Sequence, residues 1–226
     1  MADLARRELR QATRLRVSLG RERTRWKNQV HAVLHQQGRR PPVSDLFGKQ
    51  GRQWLAEVDL PPMARHAVDT YLSLIDLLQE TIQLEEKNLR ARVRTGHRRR
   101  WLVTIPGLGP YSAALVLAEI GDIHRFPSKP QWYSYAGLVP RVRESAEHCW
   151  HGPITRVDSP YLRWILTEAA HTAIRRSPAA RRYFERLVRR KPRHIACLAL
   201  ARKLLGTAYA LLKQGVCFDE QAFAAA

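Results

Sequence analysis

The residues best equipped for chemistry lie between Arg141 and Arg156, in the run RVRESAEHCWHGPITR. Ser145 stands there among Arg141, Arg143, His148, His151 and Arg156. A serine that attacks a phosphodiester needs an exposed hydroxyl, cations to stabilise charge on phosphorus and a proton acceptor. The run holds a residue type for each task. The same residues also suit an ordinary solvated loop. Residues 138–158 lack helical periodicity, so the stretch reads as a functional or connecting loop.

A second candidate is WLVTIPGLGPYSAALVLAEIGDIHRF, residues 101–126. An apolar helix end meets Pro106-Gly107-Leu108-Gly109-Pro110, and a second apolar helix follows at once. Gly107 and Gly109 let a large anion approach bare backbone, and the helix after Pro110 adds unsatisfied N–H groups and the positive end of its dipole. That is a helix-hairpin-helix phosphate cradle. The other reading is a tight turn between two core helices.

Metal chemistry finds less support. Asp76 with Glu80 and Glu85 with Glu86 read as solvated helix charge, and Glu119 with Asp122 as local to the end of their helix. His148, Cys149 and His151, with the distant His194 and Cys197, match no zinc spacing. His31 and His35 share a helix face with no further ligand and read as surface residues. No metal site is expected in this chain.

Charge narrows the partners. Lys and Arg number 39 against 20 Asp and Glu, a formal charge of +19 in 226 residues. The arginines come in three blocks, Arg6 to Arg25, Arg90 to Arg100 and Arg175 to Arg193. Arginine grips phosphate in a planar two-pronged way, so the partner expected is nucleic acid, bound with strong salt dependence. An anionic membrane fits poorly: no run of about 18 apolar residues occurs, and the amino terminus is charged. Three scattered cysteines argue for a reducing, cytoplasmic setting.

The positioning elements read as all-α. Ala5, Leu9, Ala12, Arg16, Leu19, Arg23, Trp26, Val30 and Val33 follow a heptad seam that Arg16 and Arg23 interrupt. Gly38 and Pro41-Pro42 end that helix. A short irregular stretch through Asp45 to Leu55 follows. Pro61-Pro62 opens a second long helix with Ala67, Tyr71, Leu74, Leu78, Ile82, Glu85 and Leu89 in near-heptad spacing. The pair reads as an antiparallel hairpin or as arms joining another subunit, and self-association is expected through residues 1 to about 95 because an exposed seam is a liability. Residues 1–96 thus form a helical oligomerisation arm. Residues 97–226 form a compact domain of shorter helices, with Trp132 and Tyr133 in its core. Ser159-Pro160 and Ser177-Pro178 read as N-caps with proline at the first helical position. Residues 195–212 are a strongly apolar last helix, and 221–226 a frayed tail.

Several blocks occur in one order: IPGLGPYSAALVLAEIGDIHRF, YAGLVPRVRES, GPITRVDSPYLRWILTEAA and CLALARKLLGTAYALLKQG. Together they resemble the carboxy-terminal domain of the insertion-sequence transposases related to the pilin-inversion (Piv) recombinase. This is the DEDD-type family with a separate serine-bearing domain and a bridge RNA as guide. The first segment, RRELRQATRLRVSLGRERTRWKNQVHAVLHQQG, resembles that family's helical linker. The resemblance implies that Ser145, after Ala136-Gly137-Leu138-Val139-Pro140, is the nucleophile of DNA strand cleavage and rejoining. It further implies nucleic-acid contacts at Gly107 and Gly109, phosphate binding or packing by Arg163, and a homo-oligomer acting on DNA with a guide RNA in the bacterial cytoplasm. The family has Gly where this chain has Ala146 and Asp158, and side chains there narrow the approach of DNA. The family's amino-terminal acidic domain has no counterpart in these residues. Its divalent metal, magnesium, is expected on that domain, either lost or encoded upstream. A non-catalytic nucleic-acid-binding remnant is the alternative.

Overall fold

The computed structural model describes residues 2–93, 97–145, 148–154 and 159–225. Its framework is all-α, with one two-stranded antiparallel ribbon among the described residues. The chain forms two compact units. One is Leu15–Lys87, and the other combines Met1–Arg14 with Asn88–Ala226. The first turns of the first long helix therefore group with the carboxy-terminal unit, where the sequence reading assigns all of 1–96 to an arm.

Within Leu15–Lys87, α1 (Ala2–Gln36) and α3 (Pro62–Val93) run antiparallel, joined through α2 (Lys49–Glu57). Cross-helix pairs fix the direction. Arg16 donates to Glu86 at 2.6 Å, Arg23 to Gln79, and Trp26 stacks on Tyr71 at 5.3 Å. The two arginines that interrupt the seam thus meet polar partners inside the same chain. Val30, Leu34, Leu46, Leu55, Val68 and Ile75 form the core between the three helices. On α3 the buried positions are Val68, Ile75, Ile82 and Leu89, seven apart. Of the seam read on α3, Ile82 and Leu89 are in this set; upstream, the burial shifts one residue along, to Val68 and Ile75. On α1, Thr13, Val17, Val30 and Leu34 are buried while Ala5 is exposed. The shift is small because neighbouring positions differ by about 100° around a helix and residues on the seam's edge are half-buried.

The stretch Asp45 to Leu55 is not irregular throughout. Asp45 accepts from the Phe47 and Gly48 N–H groups, and α2 then begins. Gly51 lies buried against the Leu46 carbonyl, which any Cβ would overlap. Arg65 closes the far end of α2 by donating to the Leu55 carbonyl at 2.7 Å and the Val58 carbonyl at 2.5 Å.

The other unit adds α4 (His97–Leu102), α5 (Pro110–Ile120), a 3-10 turn (Ile123–Arg125), α6 (Lys129–Tyr135), β1 (Pro140–Ser145), β2 (His148–Ile154), α7 (Pro160–Arg176), α8 (Pro178–Val188), α9 (Arg193–Gln214) and α10 (Glu220–Ala225). Helix α5 is buried on nearly every side, as its apolar run demands. Helix α9 is the one described helix long and apolar enough to cross a membrane, but Leu200, Leu204, Leu205, Ala208 and Leu212 on it lie in this unit's core. Trp132 is fully buried and donates its indole N–H to the Leu205 carbonyl at 2.9 Å. Tyr133 is half-buried, its hydroxyl fitting where Gly206 leaves no Cβ.

Two expectations are corrected here. In place of the loop that the sequence predicts over residues 138–158, Pro140–Ser145 and His148–Ile154 pair as strands. Val142, Cys149, Trp150 and Ile154 are β-favouring types, and a ribbon this short carries too little pattern to stand out from a polar loop. The tail is not frayed through 221–225 either: α10 forms there and buries Phe223.

Both Ser-Pro readings hold. The Ser159 hydroxyl accepts from the Leu162 N–H, and the Ser177 hydroxyl from the Ala180 N–H, with proline opening each helix.

Candidate functional site

The chain just before the ribbon and the residue that opens α7 are both tied to the last turn of α6. Gly137, at φ +61°, turns the chain, and the Leu138 N–H donates to the Tyr133 carbonyl at 3.1 Å. The Ser159 N–H donates to the Tyr135 carbonyl at 3.2 Å. Leu138 and Ser159 are both buried.

The register of the ribbon brings the candidate residues together along the backbone. Ser145 ends β1 and is the partner of His148, which begins β2. Arg143 pairs with Trp150, Glu144 with Cys149 and Val142 with His151. Arg141 lies at the irregular step between Pro140 and Val142. Arg156, Ala146 and Asp158 fall outside the described residues. Arg163 is half-buried on the first turns of α7 and already engaged within the protein.

Next to Ser159 lies a group that sequence reasoning assigned a merely local role. Glu119 is 1% exposed, and both its carboxylate oxygens are occupied. Arg14 donates to Oε1 at 2.8 Å and to Oε2 at 3.1 Å, and the Ser159 hydroxyl donates to Oε2 at 3.0 Å. The Glu119 main-chain carbonyl accepts from Tyr135 at 3.0 Å and from Arg10 at 3.3 Å. The Arg14 guanidinium lies 4.6 Å over the Tyr161 ring, and its hydrogen bonds to Glu119 raise its already high pKa. One residue therefore joins four elements: its carboxylate ties the start of α1 and the N-cap of α7 to the end of α5, and its main-chain carbonyl ties in α6. The signal available in the sequence was an acid inside the apolar run LVLAEI, since a buried charge needs a partner from elsewhere. Asp122, by contrast, is local. It accepts from the His124 N–H, which holds its carboxyl below the usual range, and lies 3.8 Å from Arg98.

The two hairpin glycines have different surroundings. Gly107 sits at φ +90° with its Cα against α7, where a Cβ would overlap the Ala169 carbonyl. Its lack of a side chain serves helix packing. Gly109 is exposed, precedes α5 as its N-cap, and has nothing within 4 Å of a Cβ position. The open backbone of this turn is at Gly109.

No group of three or more His, Cys, Asp or Glu among the described residues is placed to hold a metal ion. Glu119 is spent on Arg14 and Ser159, Asp76 faces Arg52, and Glu86 faces Arg16. Cys197 is buried with its Sγ 3.6 Å from His171 Nε2, and burial pushes its thiol pKa up, so it is a packed thiol rather than a thiolate ligand.

Comparison with known proteins shows what the chain is similar to. Residues 99–185, from α4 into α8 and including the whole ribbon, match the model of the transposase IS116/IS110/IS902 family. The similarity to individual proteins runs further along the chain. It is 28% identical to a Pseudomonas aeruginosa protein named "Probable family 20 transposase", over 91% of this chain and 63% of the relative. It is also 28% identical to the transposase for insertion sequence element IS1328 of Yersinia enterocolitica, over 92% of this chain and 63% of the relative. The pilin gene-inverting protein of Moraxella bovis is 33% identical over 55% of this chain and 40% of its own length. The chain thus spans less than two thirds of the length of these curated relatives.

Proposed function

We propose that this chain carries the serine-bearing part of a DNA transposase, which cleaves and rejoins DNA strands in the bacterial cytoplasm. The observation that carries the reading is the position of Ser145 at the end of β1, opposite His148 and two residues after Arg143. It lies inside the segment similar to the IS116/IS110/IS902 transposases.

In the reaction proposed, the Ser145 hydroxyl attacks a strand phosphorus. The serine proton passes to a base, for which His148 is the candidate, and the deoxyribose oxygen leaves as a hydroxyl once protonated. A phosphoserine ester conserves the bond until another strand's hydroxyl reverses the step. Arg141, Arg143 and Arg156 supply cations for the phosphorus oxygens, and Gly109 and Gly107 a backbone contact to nucleic acid. A magnesium ion would sit on acidic residues outside this sequence, and no step here is routed through it. A guide RNA and a second copy of the chain complete the proposed assembly.

The test is to incubate the protein, with an upstream acidic segment supplied, with element-end DNA and guide RNA. A covalent protein–DNA adduct that disappears in Ser145→Ala supports the reading. An adduct that survives the substitution refutes the nucleophile. Salt-sensitive binding without any adduct favours a non-catalytic nucleic-acid-binding protein.

A further inference from the structure

A dense row of exposed cations in the carboxy-terminal unit lies further along the chain than the ribbon, on α8 and the turn that follows it. Arg182, Arg186 and Arg189 recur at helical spacing, and Arg190, Lys191 and Arg193 continue the row into the start of α9. All six are exposed. The opposite side of α8 buries Ala179, Ala180 and Phe184, which fixes the helix's orientation in the fold. We propose that this face grips the sugar-phosphate backbone of duplex DNA without regard to base sequence.

The other arginines show what is unusual here. Arg10, Arg14, Arg16, Arg23 and Arg65 all donate to groups of the protein itself. Arg181, on α8 but outside the row, donates to the carbonyls of Ile174 and Arg175 and so closes α7. The cleft around Arg92 and Arg98 contains its own acids, with Glu8 3.5 Å from Arg92 and Asp122 3.8 Å from Arg98. None of the six residues in the α8 row is within 4 Å of a carboxylate among the described residues; Glu185 is the one acid within the row's span of sequence, and Glu220 of α10 is near enough to feel the charge of Arg182. Like charges so close repel one another, and Lys203 beneath them is held below its ordinary pKa by burial and then by Arg186. A polyanion relieves that repulsion.

The row is also partly ordered in advance. The Arg186 guanidinium lies 5.4 Å over Tyr183, and that of Arg193 5.4 Å over Phe184. Rings that hold the side chains before binding reduce the entropy lost on binding. The same geometry selects a duplex. Single strands bind on exposed rings that stack with bases, whereas Phe184 is buried and Tyr183 lies under Arg186 and Lys203. Helix α8 is about 16 Å long at 1.5 Å per residue, and duplex DNA presents a charge every 1.7 Å or so of its axis. A face of that length meets several phosphates at once.

The experiment needs no catalytic activity, so it stands or falls separately from Ser145. Binding of the full chain to a fluorescein-labelled duplex of arbitrary sequence, about 20 base pairs long, is followed by anisotropy from about 50 to 200 mM potassium chloride. The variant is Arg182→Gln/Arg186→Gln/Arg189→Gln/Arg190→Gln. A control, Arg25→Gln/Arg40→Gln/Lys49→Gln/Lys87→Gln, removes the same charge elsewhere. The slope of log K against log salt is expected to become shallower by about 3 to 4 in the α8 variant, with affinity down about tenfold or more. The control is expected to lose much less. The four-fold Arg→Lys version, which keeps the charge, is expected to retain the slope, and circular dichroism checks that each variant folds. An unchanged slope overturns the proposal, as does an equal loss in the control. So does a loss confined to a single-stranded RNA of the same length.

Discussion

The hydroxyl of Ser159 donates to the carboxylate of Glu119 at 3.0 Å, forty residues back along the chain, while accepting from the N–H of Leu162. Ser159 thus both starts α7 and ties that start to a buried charge on α5. Arg14 completes the arrangement from α1, so the start of α7 is tied to residues at the far end of the sequence.

Glu119→Ala is expected to destabilise the unit by about 2 to 3 kcal/mol. The Ser159 hydroxyl loses its acceptor in the interior, and Arg14 its partner, though Arg14 is 42% exposed and water compensates it in part. Urea denaturation measures the loss. Glu119→Gln, which keeps an acceptor, should lose less.

The hairpin glycines should separate. Gly107→Ala forces a side chain into positive φ and into the Ala169 carbonyl, at a cost of about 2 to 4 kcal/mol. Gly109→Ala, with open space around it, is expected to leave the melting temperature nearly unchanged. It is therefore the substitution with which to probe a backbone contact to nucleic acid, by comparing its duplex affinity with that of the parent.

Inside Leu15–Lys87, Arg23 donates to Gln79 while its buried Nε finds no partner among the described residues. Gln79→Leu alone strands the guanidinium and should cost about 1 to 3 kcal/mol. Adding Arg23→Met replaces both polar groups with apolar ones. The double variant is expected to be at least as stable as the parent in the same denaturation assay.

Glu220 provides a pH test. It accepts from the Ala179 N–H at 3.1 Å and from the Ser177 hydroxyl at 2.7 Å, and these bonds hold its carboxyl below the ordinary 4.5. A carboxylate whose folded pKa is depressed stabilises the fold above its unfolded value and loses that contribution as pH falls through the folded one. The stability difference between the parent and Glu220→Gln should thus be constant at neutral pH, begin to shrink near pH 4.5 and vanish below the folded pKa. Thermal melts across that range would show it, and a difference that grew on acidification would refute the assignment.

The helices were readable because their periodicity and punctuation are strong. Gly38, Pro62 and the two Ser-Pro pairs mark their ends where the structure has them. The ribbon was not, because six or seven residues of mixed polarity carry no period that separates a short strand from a loop. Helix α10 was missed because its one apolar anchor, Phe223, packs by tertiary contact. At the candidate site, residue types could bring Ser145, His148 and Arg143 into one stretch, but not the pairing that sets Ser145 against His148. Glu119 was visible as an acid in an apolar run, yet its partners lie 105 residues before and 40 after it, beyond the reach of local pattern.

The two Ser-Pro caps restrict substitution in a way that generic capping preference does not. Each hydroxyl is acceptor to its helix and donor to a distant glutamate, Ser159 to Glu119 and Ser177 to Glu220. Aspartate is ordinarily as good an N-cap as serine, but here it would set one carboxylate against another with no proton to share. Only a neutral side chain with both a donor and an acceptor, which serine, threonine and asparagine are, serves both at once. Among homologous sequences, serine, threonine and asparagine should therefore exchange at these two positions while aspartate stays absent, unless the facing glutamate changes with it.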